Sequence, residues 1–141
     1  IDLSAPDPRN SLREQVYAAV GKRGVDIVLE NVGGEVFDGA LRALAWRGRM
    51  VVVGFASMRL PEIKANYLLL KNIAATGLQW SDYREREPVW VQRVQAELYA
   101  MWAEGRLKPF VSERYPLERF ADALERFVSR GVLGKMILTP C

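Results

Sequence analysis

Two glycine-bearing stretches, Asn31-Val32-Gly33-Gly34 and Gly54-Phe55-Ala56-Ser57, are where this sequence could do chemistry. Each follows a run rich in branched apolar residues, Val25-Asp26-Ile27-Val28-Leu29 and Val51-Val52-Val53. Glycine at such a point lets the backbone turn in ways closed to other residues and lets a ligand come close to the main chain. In open parallel sheets the ligand crevice lies outside the carboxyl ends of the strands, so the two turns are its predicted lining. Chemistry that needs a side-chain base or a metal has few parts here. The 141 residues contain no histidine and one cysteine, Cys141, which leaves zinc sites and Ser-His-Asp triads without their usual groups.

The elements that must position these turns follow from periodicity. Ile1-Asp2-Leu3 reads as a strand end and residues 4–9 as a loop with two prolines. Ser11 and Glu14 have capping-box spacing, which predicts a helix from Ser11 with Leu12, Val16, Ala19 and Val20 on one face. Gly21 and Gly24 supply its stop. The near-continuous apolar runs at 25–29 and 51–53 are what strands covered on both faces carry. Between them Phe37, Ala40, Leu41, Leu44 and Ala45 share a helical face, with Glu35, Asp38 and Arg42 pointing away and Gly48 as the end. A strand, a helix of about four turns and a strand make a right-handed crossover, so the sheet is predicted to be parallel.

Downstream, residues 56–66 read as a loop containing Pro61, 67–70 as a short apolar turn and 73–78 as a third strand. After the polar run 81–87, Pro88 suits the first turn of a long helix with Val91, Val94, Leu98, Met101 and Trp102 in a stripe ending at Gly105. Residues 110–115 read as a short strand. Pro116 then opens a last helix with Phe120, Leu124, Phe127 and Val128 inward, and 134–138 closes the chain as a strand.

Half of the residues are apolar and 26% are charged, which fits a globular chain with a real core. No apolar run reaches the roughly 20 residues of a bilayer span and no secretory signal opens the chain, so the expectation is a soluble, cytoplasmic protein with no membrane partner. The net charge of +3 comes from arginines interleaved with acids, a pattern that argues against nucleic acid.

Five blocks in order carry a resemblance: Asn31-Val32-Gly33-Gly34; Leu41-Arg42-Ala43-Leu44-Ala45 with Gly48-Arg49; Val53-Gly54-Phe55-Ala56-Ser57; Asn66-Tyr67-Leu68-Leu69-Leu70-Lys71-Asn72; and Gly134-Lys135-Met136-Ile137-Leu138. Together they resemble the zeta-crystallin-like, NADPH-dependent quinone oxidoreductases of the medium-chain dehydrogenase/reductase superfamily. The match runs almost end to end but covers only the later part of such an enzyme. The implied fold is α/β: the second half of a Rossmann-type parallel sheet with covering helices, plus a C-terminal return segment of the catalytic domain. Residues 1–105 would be a partial nucleotide-binding domain holding the fourth to sixth strands, and 106–141 would complete the catalytic domain. The G-x-G-x-x-G turn that binds pyrophosphate is not in this sequence, and the resemblance implies that it lies upstream.

What the resemblance implies for function is zinc-independent hydride transfer from NADPH to a quinone or enone, with the cofactor doing the hard step and no catalytic side chain named. By the same resemblance Asn31, Val32, Gly33 and Gly34 line the cofactor cleft, and Gly54, Phe55, Ala56 and Ser57 form the turn beside the nicotinamide. Leu78, Gln79 and Trp80 pass near its carboxamide, and Arg130, Gly134 and Lys135 sit where the C-terminal part approaches the cofactor. At Met58 many relatives carry glycine. Read alone, Gly33-Gly34 is most often just a turn into a helix, Trp80 is equally a loop anchor, Gly134-Lys135 is a turn with a solvated cation, and Trp90 and Trp102 are helix packing rather than ligand stacking. The family joins two subunits through the sixth strand, which predicts a homodimer through 73–78. The competing reading is a non-catalytic module, inactive alone, that self-associates through its sheet edges.

Overall fold

In the computed structural model, residues 1–129 and 131–140 are described, and the chain divides into two compact units, Ile1–Glu87 and Pro88–Cys141. Helix α1 (Pro8–Val20) begins earlier than the predicted Ser11. Asp7 provides the cap, its carboxylate accepting from the Asn10 amide at 3.3 Å and from the Asn10 side chain at 2.6 Å. Pro8 takes a first-turn position where its missing N–H costs nothing. Gly21 ends the helix at φ 86, as the sequence suggests. Ile1-Asp2-Leu3 forms no strand; the Asp2 carboxylate instead accepts from Ser4 N and Oγ at 2.8 and 2.7 Å, which curls the chain into a turn.

Strand β1 (Val25–Glu30), helix α2 (Gly34–Ala43), strand β2 (Leu44–Val52), helix α3 (Ala65–Lys71) and strand β3 (Ala74–Gly77) follow. The three strands lie in the order β1-β2-β3 and all pairings are parallel, with Val28 opposite Met50 and Met50 opposite Ala75. The expected parallel sheet is therefore present. Phe37, Leu44 and Met50 are fully buried at its centre, with Leu12, Leu41 and Ile73 around them. Each such side chain contributes about 1.5–3 kcal/mol by leaving water.

Four details depart from the sequence reading. Leu44 and Ala45, placed on a helical face by spacing, are the first residues of β2, so α2 has 10 residues and fewer turns than predicted. The cause is distant in sequence: Lys71 Nζ donates to the carbonyls of Arg42 and Leu44, both at 2.7 Å, and so ties down the helix exit. The register shift between Val25/Ile27 puts a bulge in β2, where Arg47 adopts φ 64. Second, β1 is not covered on both faces. Val28 faces the core, but Ile27 and Leu29 are 62% and 73% exposed, so within these residues only one face of the run is covered. Third, the predicted apolar turn at 67–70 lies inside helix α3. Fourth, most of the polar run 81–87 belongs to helix α4 (Trp80–Arg86), which is braced by an Arg86–Asp82 ion pair at 3.5 Å.

The second unit begins with α5 (Pro88–Ala103), where Pro88 opens the helix as expected. Strand β4 (Val111–Pro116), a 3-10 turn (Leu117–Arg119), α6 (Phe120–Val128) and β5 (Lys135–Thr139) complete it, with β4 and β5 parallel. The predicted inward face of α6 is overturned. Ala123, which shares the stripe's face at i+3 from Phe120 and i−4 from Phe127, is buried, whereas Phe120, Leu124, Phe127 and Val128 are all more than half exposed, so the rest of the chain covers only one margin of that face.

Candidate functional site

The site is built at the carboxyl edge of the three-stranded sheet. β1 ends at Glu30, and the chain turns through Asn31, Val32 and Gly33 into α2. β2 ends at Val52, and β3 ends at Gly77, from which Leu78 N donates to Val52 O at 2.9 Å. All three predicted segments of this unit, 31–34, 54–57 and 78–80, therefore leave the same edge, as parallel strands require.

The first two segments are also hydrogen-bonded to one another. Ala56 N donates to Asn31 O at 2.9 Å, Ser57 N to Val32 O at 2.7 Å, and Gly34 N to Arg59 O at 3.2 Å. Gly33 has φ 81, and a Cβ built there would lie 2.5 Å from Arg59 O and 3.1 Å from Ser57 Oγ. Glycine at 33 is thus required for the second loop to pack on the first, a demand that exists before any ligand arrives. Gly54 is different: a Cβ there would meet only Asn31 O at 3.7 Å. The turn closing the second loop holds Met58 at φ 60 and 90% exposed, a left-handed conformation that glycine adopts without strain.

The residue that sequence reasoning missed is Glu30. It is the one charged side chain buried among the described residues, 3% exposed, and its carboxylate accepts from Val32 N at 2.9 Å and from Gly33 N at 3.0 and 3.2 Å. Its carbonyl also accepts from Val53 N at 2.7 Å, so one residue ties together the ends of both strands. The available signal was a carboxylate closing an apolar strand directly ahead of the glycine turn, a place where burial demands hydrogen-bond partners and the turn's amides can supply them.

Around this edge the surface offers two hollows. One, of about 270 Å³, is apolar and runs beside Leu29, Asn31, Val32 and Val36; the other, of about 320 Å³, is lined by charged groups including Glu35, Asp38, Arg42, Arg59 and Lys64. Both sit at the small end of ligand pockets. Phe55 is 40% exposed, and Trp80, also 40% exposed, stacks on Tyr83 with ring centroids 5.9 Å apart. Gln79 Nε2 donates to Ser81 Oγ at 3.3 Å. Gly134 and Lys135 belong to the second unit. There Gly134 has φ 87, and a Cβ added to it would lie 2.7 Å from Phe110 O, the same carbonyl that accepts from Lys135 N at 2.8 Å. Arg130 lies outside the described residues. No group of three metal-ligating side chains occurs among the described residues, and no helix there is long and apolar enough to cross a membrane.

Comparison with known proteins agrees with this architecture. The family model described as zinc-binding dehydrogenase matches residues 7–138. Quinone oxidoreductase-like protein 2 of Bos taurus is 42% identical over 132 residues, which are 93% of this chain and 38% of that protein. Quinone oxidoreductase of Homo sapiens is 32% identical over 89% of this chain and 37% of its own length. Among solved structures, a mycobacterial quinone oxidoreductase superposes with TM-score 0.70 at 26% identity, covering 92% of this chain and 40% of the other. A mycobacterial protein solved in complex with NADPH gives TM-score 0.76 at 25% identity, covering 95% and 42%. The chain thus spans less than half the length of these relatives. A parallel sheet of Rossmann type, two interlocked turns at its carboxyl edge and a match over nearly all of its residues make this chain a member of the zinc-binding dehydrogenase family, within the medium-chain dehydrogenase/reductase superfamily.

Proposed function

We propose that this chain supplies one side of a nicotinamide-dinucleotide cleft in an oxidoreductase that passes hydride from NADPH to a quinone or enone. The observation that carries the reading is the interlocking of loops 31–34 and 54–57 at the carboxyl edge of a parallel sheet, where such folds bind their ligands. It is supported by relatives that bear the name quinone oxidoreductase and by the structural neighbour solved with NADPH. In this reading Asn31, Val32, Gly33 and Gly34 flank the cofactor, Gly54, Phe55, Ala56 and Ser57 face the nicotinamide, and Leu78, Gln79 and Trp80 complete that side. The bound cofactor would supply the hydride, and the protein's part is to orient the ring and keep water from it.

The family's name carries a zinc, and the donor set here does not fit one: the chain has no histidine and a single cysteine. No step is therefore assigned to a metal. The sequence also has no G-x-G-x-x-G turn, so the chain alone should bind NADPH only weakly. The test is an assay of NADPH oxidation with a quinone acceptor, using a polypeptide that joins this chain to the earlier part of a relative, its catalytic domain and pyrophosphate-binding turn included. Quinone-dependent turnover by the joined polypeptide and none by the 141-residue chain is the expected result. No turnover in either would contradict the reading.

A homodimer through β3 is proposed with it. β3 ends the order β1-β2-β3, and its outer side has no strand partner among the described residues. Two copies meeting there would form a symmetric, self-complementary junction and bury an edge that otherwise invites association.

A further inference from the structure

Cations gather where α1, α2 and α3 meet, at the start of β2 and so at the far end of that strand from turn 54–57. Two side chains converge on one carbonyl there: Lys71 Nζ donates to Arg42 O at 2.7 Å, and Tyr17 Oη donates to the same oxygen at 3.5 Å. The Arg13 guanidinium lies over the Tyr17 ring, 5.9 Å from its centroid. Arg13, Arg42 and Lys71 are thus neighbours, one from each helix. None of the three forms an ion pair with a carboxylate among the described residues, although six arginines elsewhere in the chain do. Asp38 stands one turn before Arg42, at the spacing of a helical ion pair, yet the Arg42 guanidinium donates to Asn10 Oδ1 at 2.7 Å instead. Arg13 Nε is buried and has no acceptor. Lys71 feels the crowding: burial first, then the charges of Arg13 and Arg42, hold its ammonium below the ordinary lysine value of 10.5.

Helix dipoles explain part of this arrangement. Lys71, on the carbonyls of Arg42 and Leu44, is a cation at the C-terminal end of α2, where the dipole favours it. Arg13 has no such reason, since it sits in the middle of α1, and buried N–H groups in folded proteins are normally bonded. We propose that Arg13, Arg42 and Lys71 form an oxyanion site that takes the phosphoryl group of a small phosphate ester or of free phosphate. The two guanidiniums carry planar N–H forks that match phosphoryl oxygens, and Lys71 keeps one of its three N–H groups after serving two carbonyls. A dianion there also offsets the mutual repulsion of three cations in a setting less polar than water. All three side chains are half-buried, and Arg42 lines the hollow of about 320 Å³, so a solute reaches them from the surface. The hollow's carboxylates lie elsewhere on its wall, Glu35 and Asp38 in the first half of α2 and Glu62 beyond Pro61, which confines the anion to the Arg42 end.

The experiment uses the 141-residue chain and needs no dinucleotide. Inorganic phosphate and glycerol 3-phosphate are titrated separately into isotope-labelled protein at neutral pH, with sodium chloride at matched ionic strength as the blank, while the Nε–Hε resonances of Arg13 and Arg42 are followed by NMR. The expected result is saturable movement of both resonances with the phosphates and none with chloride. Tighter binding of the ester assigns the site to a phosphate ester, and tighter binding of inorganic phosphate assigns it to the free ion. Arg13→Gln should weaken the binding about tenfold or more, as the loss of a charge-assisted hydrogen bond requires. Arg84→Gln, which removes an equal charge from an exposed position in α4, should leave the affinity within about twofold. Three results would overturn the proposal: no saturable movement, movement that chloride reproduces, or equal affinity in wild type and Arg13→Gln. If Arg13→Gln does not fold, the wild-type comparison of phosphate with chloride still decides.

Discussion

Replacing Gly33 by alanine should be among the most damaging single-methyl changes in the chain, and the reason is geometric. At φ 81 and ψ −169 the residue occupies a region essentially reserved for glycine, where another residue costs about 1–3 kcal/mol. The added Cβ would sit 2.5 Å from Arg59 O, a backbone atom that can retreat only by moving the loop. That movement breaks the bonds from Gly34 N to Arg59 O and from Ser57 N to Val32 O, each worth about 0.5–1.5 kcal/mol. Together these losses come to about 2–6 kcal/mol, a large fraction of the roughly 5–15 kcal/mol that holds a domain folded. With a urea dependence of about 2 kcal/mol per molar, the unfolding midpoint followed by far-UV circular dichroism should fall by about 1–3 M. Gly54→Ala is the control, because its Cβ would meet one atom at 3.7 Å and its φ is not in the positive range; its midpoint should stay within about 0.3 M of wild type. Equal midpoints for the two variants would refute the claim that the loops interlock as described.

Met58→Gly should stabilise the chain by about 0.5–1 kcal/mol, since it relieves a left-handed residue and removes a side chain that is 90% exposed, an increase readable in the same urea midpoint. Lys71→Met should cost about 1–3 kcal/mol by leaving the Arg42 and Leu44 carbonyls without their donor. Burial, helped by Arg13 and Arg42, holds the Lys71 ammonium below the ordinary lysine value of 10.5. The folded state therefore resists charging this group, so stability relative to Lys71→Met should rise as pH climbs through the window just below 10.5, as urea midpoints taken across that window would record. Ala75→Pro should abolish a dimer formed through β3 while leaving the β2–β3 ladder intact: Leu78 N points to Val52 O, and by strand alternation the Ala75 N–H points outward. Sedimentation at tens of micromolar would show this as a shift from dimer to monomer, and a wild-type monomer there would dispose of the dimer.

The centre of the fold was legible because its signals are local. The change of period at Gly33-Gly34 marks β1, α2 and the parallel return to β2, and Pro88 marks the start of α5. The misread positions depend on contacts far along the chain. Leu44 and Ala45 keep helical spacing, yet Lys71 ends the helix before them. An apolar run such as Val25-Asp26-Ile27-Val28-Leu29 looks the same whichever of its faces this chain itself covers, so the exposure of Ile27 and Leu29 could not be read from it. The α6 stripe likewise announces an apolar face without saying how little of it beyond Ala123 the chain itself covers. In the site, glycines were visible and Glu30 was not, since a carboxylate at a strand end ordinarily faces water.

That loops 31–34 and 54–57 form one wall of a nicotinamide cleft is tested most directly by titrating the isotope-labelled chain with NADPH and mapping the amide shifts. Shifts concentrated at 31–34, 54–57 and 78–80, with a dissociation constant near millimolar, equivalent to about 4 kcal/mol, are the predicted result. Shifts confined to other surfaces, or none at millimolar NADPH, would contradict it.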